Sequence, residues 1–334
     1  IVCRSSMNDD DDEITYSFTL NSGGAITMLS SPVDEYDEML LKLRAVRTAL
    51  EEEFPVLRQG KNELRKKRNV TTAATEAKGC SDGGDSDTSR MIFTTMRAEI
   101  DENETLHVPF LEHHHSRLLI TSRILLGSVL PHGTRTSREL LNTVSKHVFS
   151  KQQNRENRLF RVRVSIRLGN STATLEPLIC VPFRSEQPFH VSLSEDNIDW
   201  TKLTSREVII DDRLSATDCI ECYFKTGDRE IYDAPRKRHS GVEDVILQNI
   251  RGEVTEFTIG NFAVEISPNS NEWVTPALRS GLLPGVMRQH LLSSGQITQR
   301  VLPACTLRSM IESGCRLVGF NALRGLFPLK MKFV

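Results

Sequence analysis

"FKTGDREIYD", residues 224–233, places a single lysine, Lys225, directly behind an apolar-aromatic run that ends at Phe224. A solvated amine after an edge strand is the ordinary reading of such a stretch, and a buried amine kept for chemistry is the alternative. The two differ in their surroundings. Burial strips water from the ammonium and lowers its pKa, which an amine requires before it can act as nucleophile or base near neutral pH.

The whole chain sets the frame for that choice. Its 334 residues exceed one minimal core and fit two domains with a cleft between them. Hydrophobic residues make up 38% and charged residues 26%, and the polar excess gathers at the N-terminus. A formal net charge of −2 gives no overall field toward nucleic acid or an anionic membrane, so an anionic ligand must be held locally by arginines or helix ends. Seven scattered cysteines do not form a secreted disulfide framework, and a reducing, cytoplasmic setting is the expectation. No apolar run approaches the ~20 residues needed to span a bilayer. "IVCRSSMNDDDDE" lacks the apolar core of a signal peptide, and the opening Ile1 is compatible with a start further upstream.

Texture divides the chain. Residues 1–54 read as an N-terminal extension, with a short strand in "ITYSFTL" and one amphipathic helix over 33–53 carrying Met39, Leu43, Val46 and Leu50 at helical spacing. Residues 55–90 have the composition of a disordered linker, in which "RKKR" at 65–68 reads as a solvated charge run rather than a nuclear signal. A small α+β domain follows at 91–184. It begins with the strand "MIFTTMRAEI", then a helix burying Leu111, Leu118, Leu119 and Leu126, then a second helix from Ser137. It ends in a basic hairpin around Gly169-Asn170 with one solvated face. A connector, 185–204, leads to a larger β-rich domain at 205–334. Its strands are read at "EVIIDD", "DCIECYF", "DVILQNI", "FAVEI" and "NEWVTP", and its helices at 285–294 and 306–313.

No motif makes a metal site. His113, His114 and His115 point ~100° apart on a helix and cannot converge on one ion, so a polar helix edge is expected there. Cys219 and Cys222 lack a second pair and read as core cysteines. Pro284-Gly285 is different: as a turn before helical texture, it leaves the backbone N–H groups of Val286 and Met287 free at a helix start, an arrangement suited to phosphate.

Six stretches then occur in order: "FTTMR" (93–97), "LEHHHSRL" (111–118), "FKTGDREIYD", "RGEVTEFTIGNF" (251–262), "SGLLPGVMR" (280–288) and "FNALRGLFP" (320–328). This ordered set resembles the fold-type IV, or class IV aminotransferase, family of pyridoxal-phosphate enzymes, over about residues 91–334. Within it the likeness is nearest to the aminodeoxychorismate lyases. The resemblance implies an α+β, two-domain fold with pyridoxal 5'-phosphate between the domains of a homodimer. It makes Lys225 the catalytic lysine and covalent anchor of the cofactor, and Glu256 the carboxylate that pairs with the pyridine nitrogen. Arg117 would bind the cofactor phosphate, together with the helix start at Val286 and Met287 and the Asn321-Ala322 stretch. Arg97 and Arg324 are candidates for holding the carboxylates of a small anionic substrate; Arg229 and Tyr232 resemble family positions with no settled role.

Asn321-Ala322 stands where aminotransferases of the family tend to carry Gly-Thr, which favours a lyase acting on 4-amino-4-deoxychorismate in folate synthesis. An aminotransferase for branched-chain or D-amino acids is the second reading, and a catalytically degenerate binding protein the third. The chain departs from the family in two places. A linker precedes "FTT", so any N-terminal strand must come from residues 14–30, and Gly227 replaces the usual hydroxyl residue after Lys225-Thr226. The substrate pocket is expected on loops 125–135 and 184–205.

Overall fold

The computed structural model describes residues 2–7, 14–19, 91–126, 130–152, 157–168, 173–185, 187–193, 199–200, 202–215 and 220–333. In the N-terminal unit, β1 (Val2–Met7) and β2 (Ile14–Thr19) pair antiparallel, with Val2 opposite Thr19 and Met7 opposite Ile14. The strand expected in "ITYSFTL" is therefore present. The helix read at 33–53, the linker at 55–90 and its basic run lie outside the described residues.

The second compact unit holds two sheets. The five-stranded sheet comprises β3 (Met91–Ile100), β4 (Leu106–His107), β5 (Leu159–Leu168), β6 (Ala173–Leu175) and β7 (Ile179–Pro182). Helices α1 (Leu111–Leu126) and α2 (Ser137–Lys151) lie between β4 and β5 in sequence. Thr136 caps α2, its side chain accepting from the Glu139 N–H at 3.1 Å.

Strand periodicity sorts the side chains. On β3, Ile92, Met96, Ala98 and Ile100 join Phe160, Val162, Val164 and Ile166 of β5 in a core completed by Leu118, Leu140, Val144 and Val148 from the helices. The other face carries Phe93, Thr95 and Arg97 opposite Ser165, Arg163 and Arg161. The hairpin's basic face is partly solvated, with Arg161 exposed; Arg161 and Arg163 also line a cavity, and the Arg163 guanidinium lies 3.7 Å from the Phe93 ring centroid.

The buried stripe of α1 also differs from expectation. His114, Leu118, Thr121 and Ser122 are buried, at helical spacing, while Leu111 and Leu119 are only partly buried; the Leu126 side chain lies outside the described residues. Three polar residues on that stripe hide it from a reading of hydrophobic period alone.

The eight-stranded sheet has the order β10-β9-β8-β15-β14-β11-β12-β13. Its members are β8 (Arg206–Ser215), β9 (Asp244–Asn249), β10 (Val254–Phe257), β11 (Asn261–Glu265), β12 (Trp273–Pro276), β13 (Thr298–Arg300), β14 (Leu317–Asn321) and β15 (Gly325–Met331). Alternation feeds two cores: Phe262, Val264 and Leu317 pack with Leu307 of α5 (Ala304–Glu312), and Ala263, Val318 and Phe320 pack with Met287 and Leu291 of α4 (Val286–Ser293). Covered on both faces, the strands read as continuous apolar runs, as in Val208, Ile209 and Ile210.

Parallel neighbours need crossovers, and the β8→β9 and β12→β13 connections supply them. The second carries α4. The first carries α3 (Glu230–Arg238), which the sequence reading passed over because Pro235 and a dense charge run mask its helical character. The β-type run "DCIECYF" is corrected as well: Ile220–Tyr223 form a 3-10 turn, and Cys222 is buried without belonging to a strand. Among the described residues no helix is long and apolar enough to cross a membrane.

Candidate active site

The two crossovers and the odd-numbered face of β3 and β5 surround a cavity of about 290 Å³. Lys225 reaches it from the β8→β9 crossover, and its main chain is fixed to the first sheet. The Phe93 N–H donates to the Lys225 carbonyl at 3.0 Å and the Gly227 N–H to the Met91 carbonyl at 2.7 Å, with Ile92 opposite Thr226. Lys225 Nζ then lies 5.2 Å from the Phe93 ring centroid. Burial, with the cations of Arg117 and Arg229, lowers its pKa to about 7 against the opposing pull of Glu256. Gly227 supplies an N–H and no hydroxyl; Thr226, not Gly227, lines the cavity.

A lowered pKa predicts selective labelling. At pH 8 an amine with a pKa of about 7 is mostly free base, whereas an ordinary lysine near ~10.4 is protonated. An amine-directed reagent is therefore expected to modify Lys225 ahead of the other lysines, read by peptide mass mapping. Uniform labelling would contradict the buried amine.

Glu256, on β10, is 4% exposed and accepts three hydrogen bonds. Tyr232 OH and the Leu283 N–H donate to Oε1 at 2.9 and 3.0 Å, and Asn261 Nδ2 donates to Oε2 at 3.2 Å. Burial raises its pKa to about 7, the donors from Leu283 and Tyr232 restraining the rise. Tyr232 arrives on α3, and Arg229 just before that helix donates to the Thr258 carbonyl at 3.1 Å, tying α3 to the turn after β10. The sequence reading left both without a role.

Asn261 also donates to the Leu283 carbonyl at 3.0 Å, so it clamps the segment leading into α4. That clamp requires Gly285, because a Cβ built there would overlap Asn261 Oδ1. Gly285→Ala is expected to destabilise the protein by about 1–3 kcal/mol, read as a lowered Tm.

Gly285 is also the N-cap of α4, with no side-chain cap, so the first-turn N–H groups of Val286 and Met287 are left without an intrahelical partner. Val286 lines the cavity; Met287 does not, and its side chain is buried in the core. Arg117, from α1, also lines the cavity. Its Nη2 donates to Thr94 Oγ1 at 2.6 Å, its Nε is buried without a partner, and burial lowers its pKa to about 10. Asn321 and Ala322 complete this wall, with Asn321 Oδ1 accepting from the N–H groups of Leu323 and Arg324 at 3.0 and 2.9 Å.

The two substrate candidates part company. Arg324 lines the cavity. Arg97 does not: it pairs with Glu99 and stacks 4.3 Å over the Phe189 ring. Arg161 and Arg163 were missed, although their alternation opposite "FTT" is the signal that could have found them. Among the described residues none from loops 125–135 or 184–205 lines the cavity. The three histidines diverge: His114 bonds Thr94, His115 Nε2 meets the Arg135 carbonyl at 3.0 Å, and His113 lies edge-on to Phe110.

Six cationic side chains, Arg117, Arg161, Arg163, Lys225, Arg229 and Arg324, line the cavity against two carboxylates, Asp228 and Glu256. Such a site selects an anionic ligand.

Comparison with known proteins agrees with this geometry. The model of the amino-transferase class IV family matches residues 91–330. A Schizosaccharomyces pombe protein described as "Putative aminodeoxychorismate lyase" is 34% identical over 122 residues, taking in 35% of this chain and 51% of that protein. The chain thus spans about half the length of that curated relative. Among solved structures, "Putative 4-amino-4-deoxychorismate lyase" from Legionella pneumophila aligns with a TM-score of 0.54 at 18% identity, over 77% of this chain and 89% of that one. The branched-chain amino acid aminotransferase of Thermobaculum terrenum in its PLP form aligns with a TM-score of 0.56 at 14% identity, over 77% and 81%. These structural likenesses establish the fold, which is α+β and of fold type IV.

Proposed function

This chain belongs to the amino-transferase class IV family, whose cofactor is pyridoxal 5'-phosphate, and from that premise we propose that it is a lyase converting 4-amino-4-deoxychorismate to 4-aminobenzoate and pyruvate. The observation that carries the lyase reading is the 34% identity with the fission-yeast protein. The cationic cavity supports it, since the substrate carries two carboxylates.

The residues present fit the cofactor. Arg117, with a buried, unpartnered Nε–H, lines the same cavity as Val286 in the open first turn of α4, which suits phosphate, and Glu256 offers a buried carboxylate to a ring nitrogen. Bound pyridoxal phosphate supplies an electron sink and a covalent link to amines. Lys225 is its covalent anchor in this reading, and once free its Nζ, with a pKa of about 7, takes the proton from the ring carbon that bears the substrate nitrogen. The ether C–O bond then breaks, enolpyruvate leaves and is protonated to pyruvate, and the ring becomes aromatic. Glu256, oriented by Tyr232, Leu283 and Asn261, would hold negative charge beside the ring nitrogen. Arg324, Arg161 and Arg163 hold the substrate carboxylates. Two copies of the chain are expected to associate.

Pyruvate release from 4-amino-4-deoxychorismate tests the assignment. No release, together with amino transfer from a branched-chain or D-amino acid to a 2-oxo acid, would replace the lyase with an aminotransferase on the same lysine.

A further inference from the structure

Behind Arg117, away from the cavity lining, stand two fully buried polar residues, Thr94 on β3 and His114 on α1. Thr94 Oγ1 accepts from Arg117 Nη2 at 2.6 Å and lies 2.7 Å from His114 Nδ1. A guanidinium only donates, and a threonine hydroxyl has one hydrogen to give besides its lone pairs, so Thr94 can donate to His114 Nδ1 while it accepts from Arg117. In that arrangement His114 is neutral and carries its proton on Nε2, an atom buried without a partner. Burial, with the cations of Arg117, His113 and Lys225, holds its pKa well below the ordinary histidine value, in keeping with that state.

We propose that Thr94 and His114 are positioning residues that fix the Arg117 guanidinium for an anionic group, through a relay running from Arg117 Nη2 to the Thr94 hydroxyl to His114 Nδ1. This rests on the reading of the cavity as a pyridoxal-phosphate site with its phosphate at Arg117. The relay uses Nη2 of the guanidinium and leaves Nε unpaired. Ring and hydroxyl are immobilised in the core, so Arg117 is oriented before the ligand arrives, and less freedom is lost on binding.

Pyridoxal lacks the phosphate, so it separates this role from a merely structural one. Equilibrium dissociation constants for pyridoxal 5'-phosphate and for pyridoxal would be measured by absorbance titration of the purified chain and its variants. Thr94→Val is expected to weaken pyridoxal 5'-phosphate on the order of tenfold and pyridoxal by less than about twofold, while Thr94→Ser binds both as the unmodified chain does. Should Thr94→Val fail to fold by circular dichroism, the histidine decides: His114→Asn, whose amide oxygen can accept where Nδ1 did, keeps phosphate affinity, and His114→Ala loses it. Equal loss for both ligands, or no loss for either, would overturn the relay. An unmodified chain that binds neither ligand would instead overturn the cofactor reading, and the relay with it.

Discussion

Lys225→Ala is expected to lower turnover on the order of 10⁴-fold while leaving the fold intact. The chemistry goes because no other amine among the cavity's lining residues can link to the cofactor or receive the substrate proton. The fold remains because the pairing with β3 runs through the Lys225 carbonyl and the Gly227 N–H, which the substitution keeps. Removing an amine whose pKa is lowered by burial and by Arg117 and Arg229 also relieves an unfavourable charge, so Tm should hold or rise. Steady-state turnover and a thermal melt check both halves. A variant retaining a tenth of the activity would remove Lys225 from the mechanism.

Glu256→Gln is expected to reduce kcat on the order of 10²-fold or more, with cofactor still bound. The loss has two sources. A neutral amide cannot hold negative charge at a ring nitrogen, and the amide's NH₂ must face a donor: Asn261 Nδ2 if its oxygen stays with Tyr232 and Leu283. The pH profile carries a second signature. With pKa values near 7, Lys225, once released from the cofactor, and Glu256 must both be deprotonated to act as amine and carboxylate. Turnover should thus fall on the acid side through about pH 7, with apparent values belonging to the pair. In Glu256→Gln the acid limb keeps only the lysine's titration and becomes shallower. An unchanged limb would show that Glu256 does not titrate within the mechanism.

Much of this site was legible without coordinates. The helix start after Pro284-Gly285 follows from local chemistry, since proline and glycine set the turn and the missing intrahelical partners set the donors. Strands such as 91–100 and 244–249 follow from apolar runs of the right length. Other parts were hidden for physical reasons. Short apolar runs do not distinguish strand from turn, as Ile220–Tyr223 shows, and polar residues on a buried helical stripe, as His114, Thr121 and Ser122, defeat any hydrophobic period. Arg97 and Arg161 are opposite one another on the same strand pair, yet one is taken up by Glu99 and Phe189 while the other lines the cavity. Nothing in the residue type separates them.

By itself the sequence determined the type of fold, through the ordered resemblance of six stretches, and marked Lys225, Glu256 and the helix start at Val286 as candidates, the last also from its local turn chemistry. Only the tertiary structure decided that Lys225 is clamped to β3, that Tyr232 and Leu283 orient Glu256, and that Thr94 and His114 stand behind Arg117. Those are contacts between residues 20 to 136 positions apart along the chain. Burial and hydrogen-bond partners at such separations are set by packing and topology, and so are the pKa values they shift.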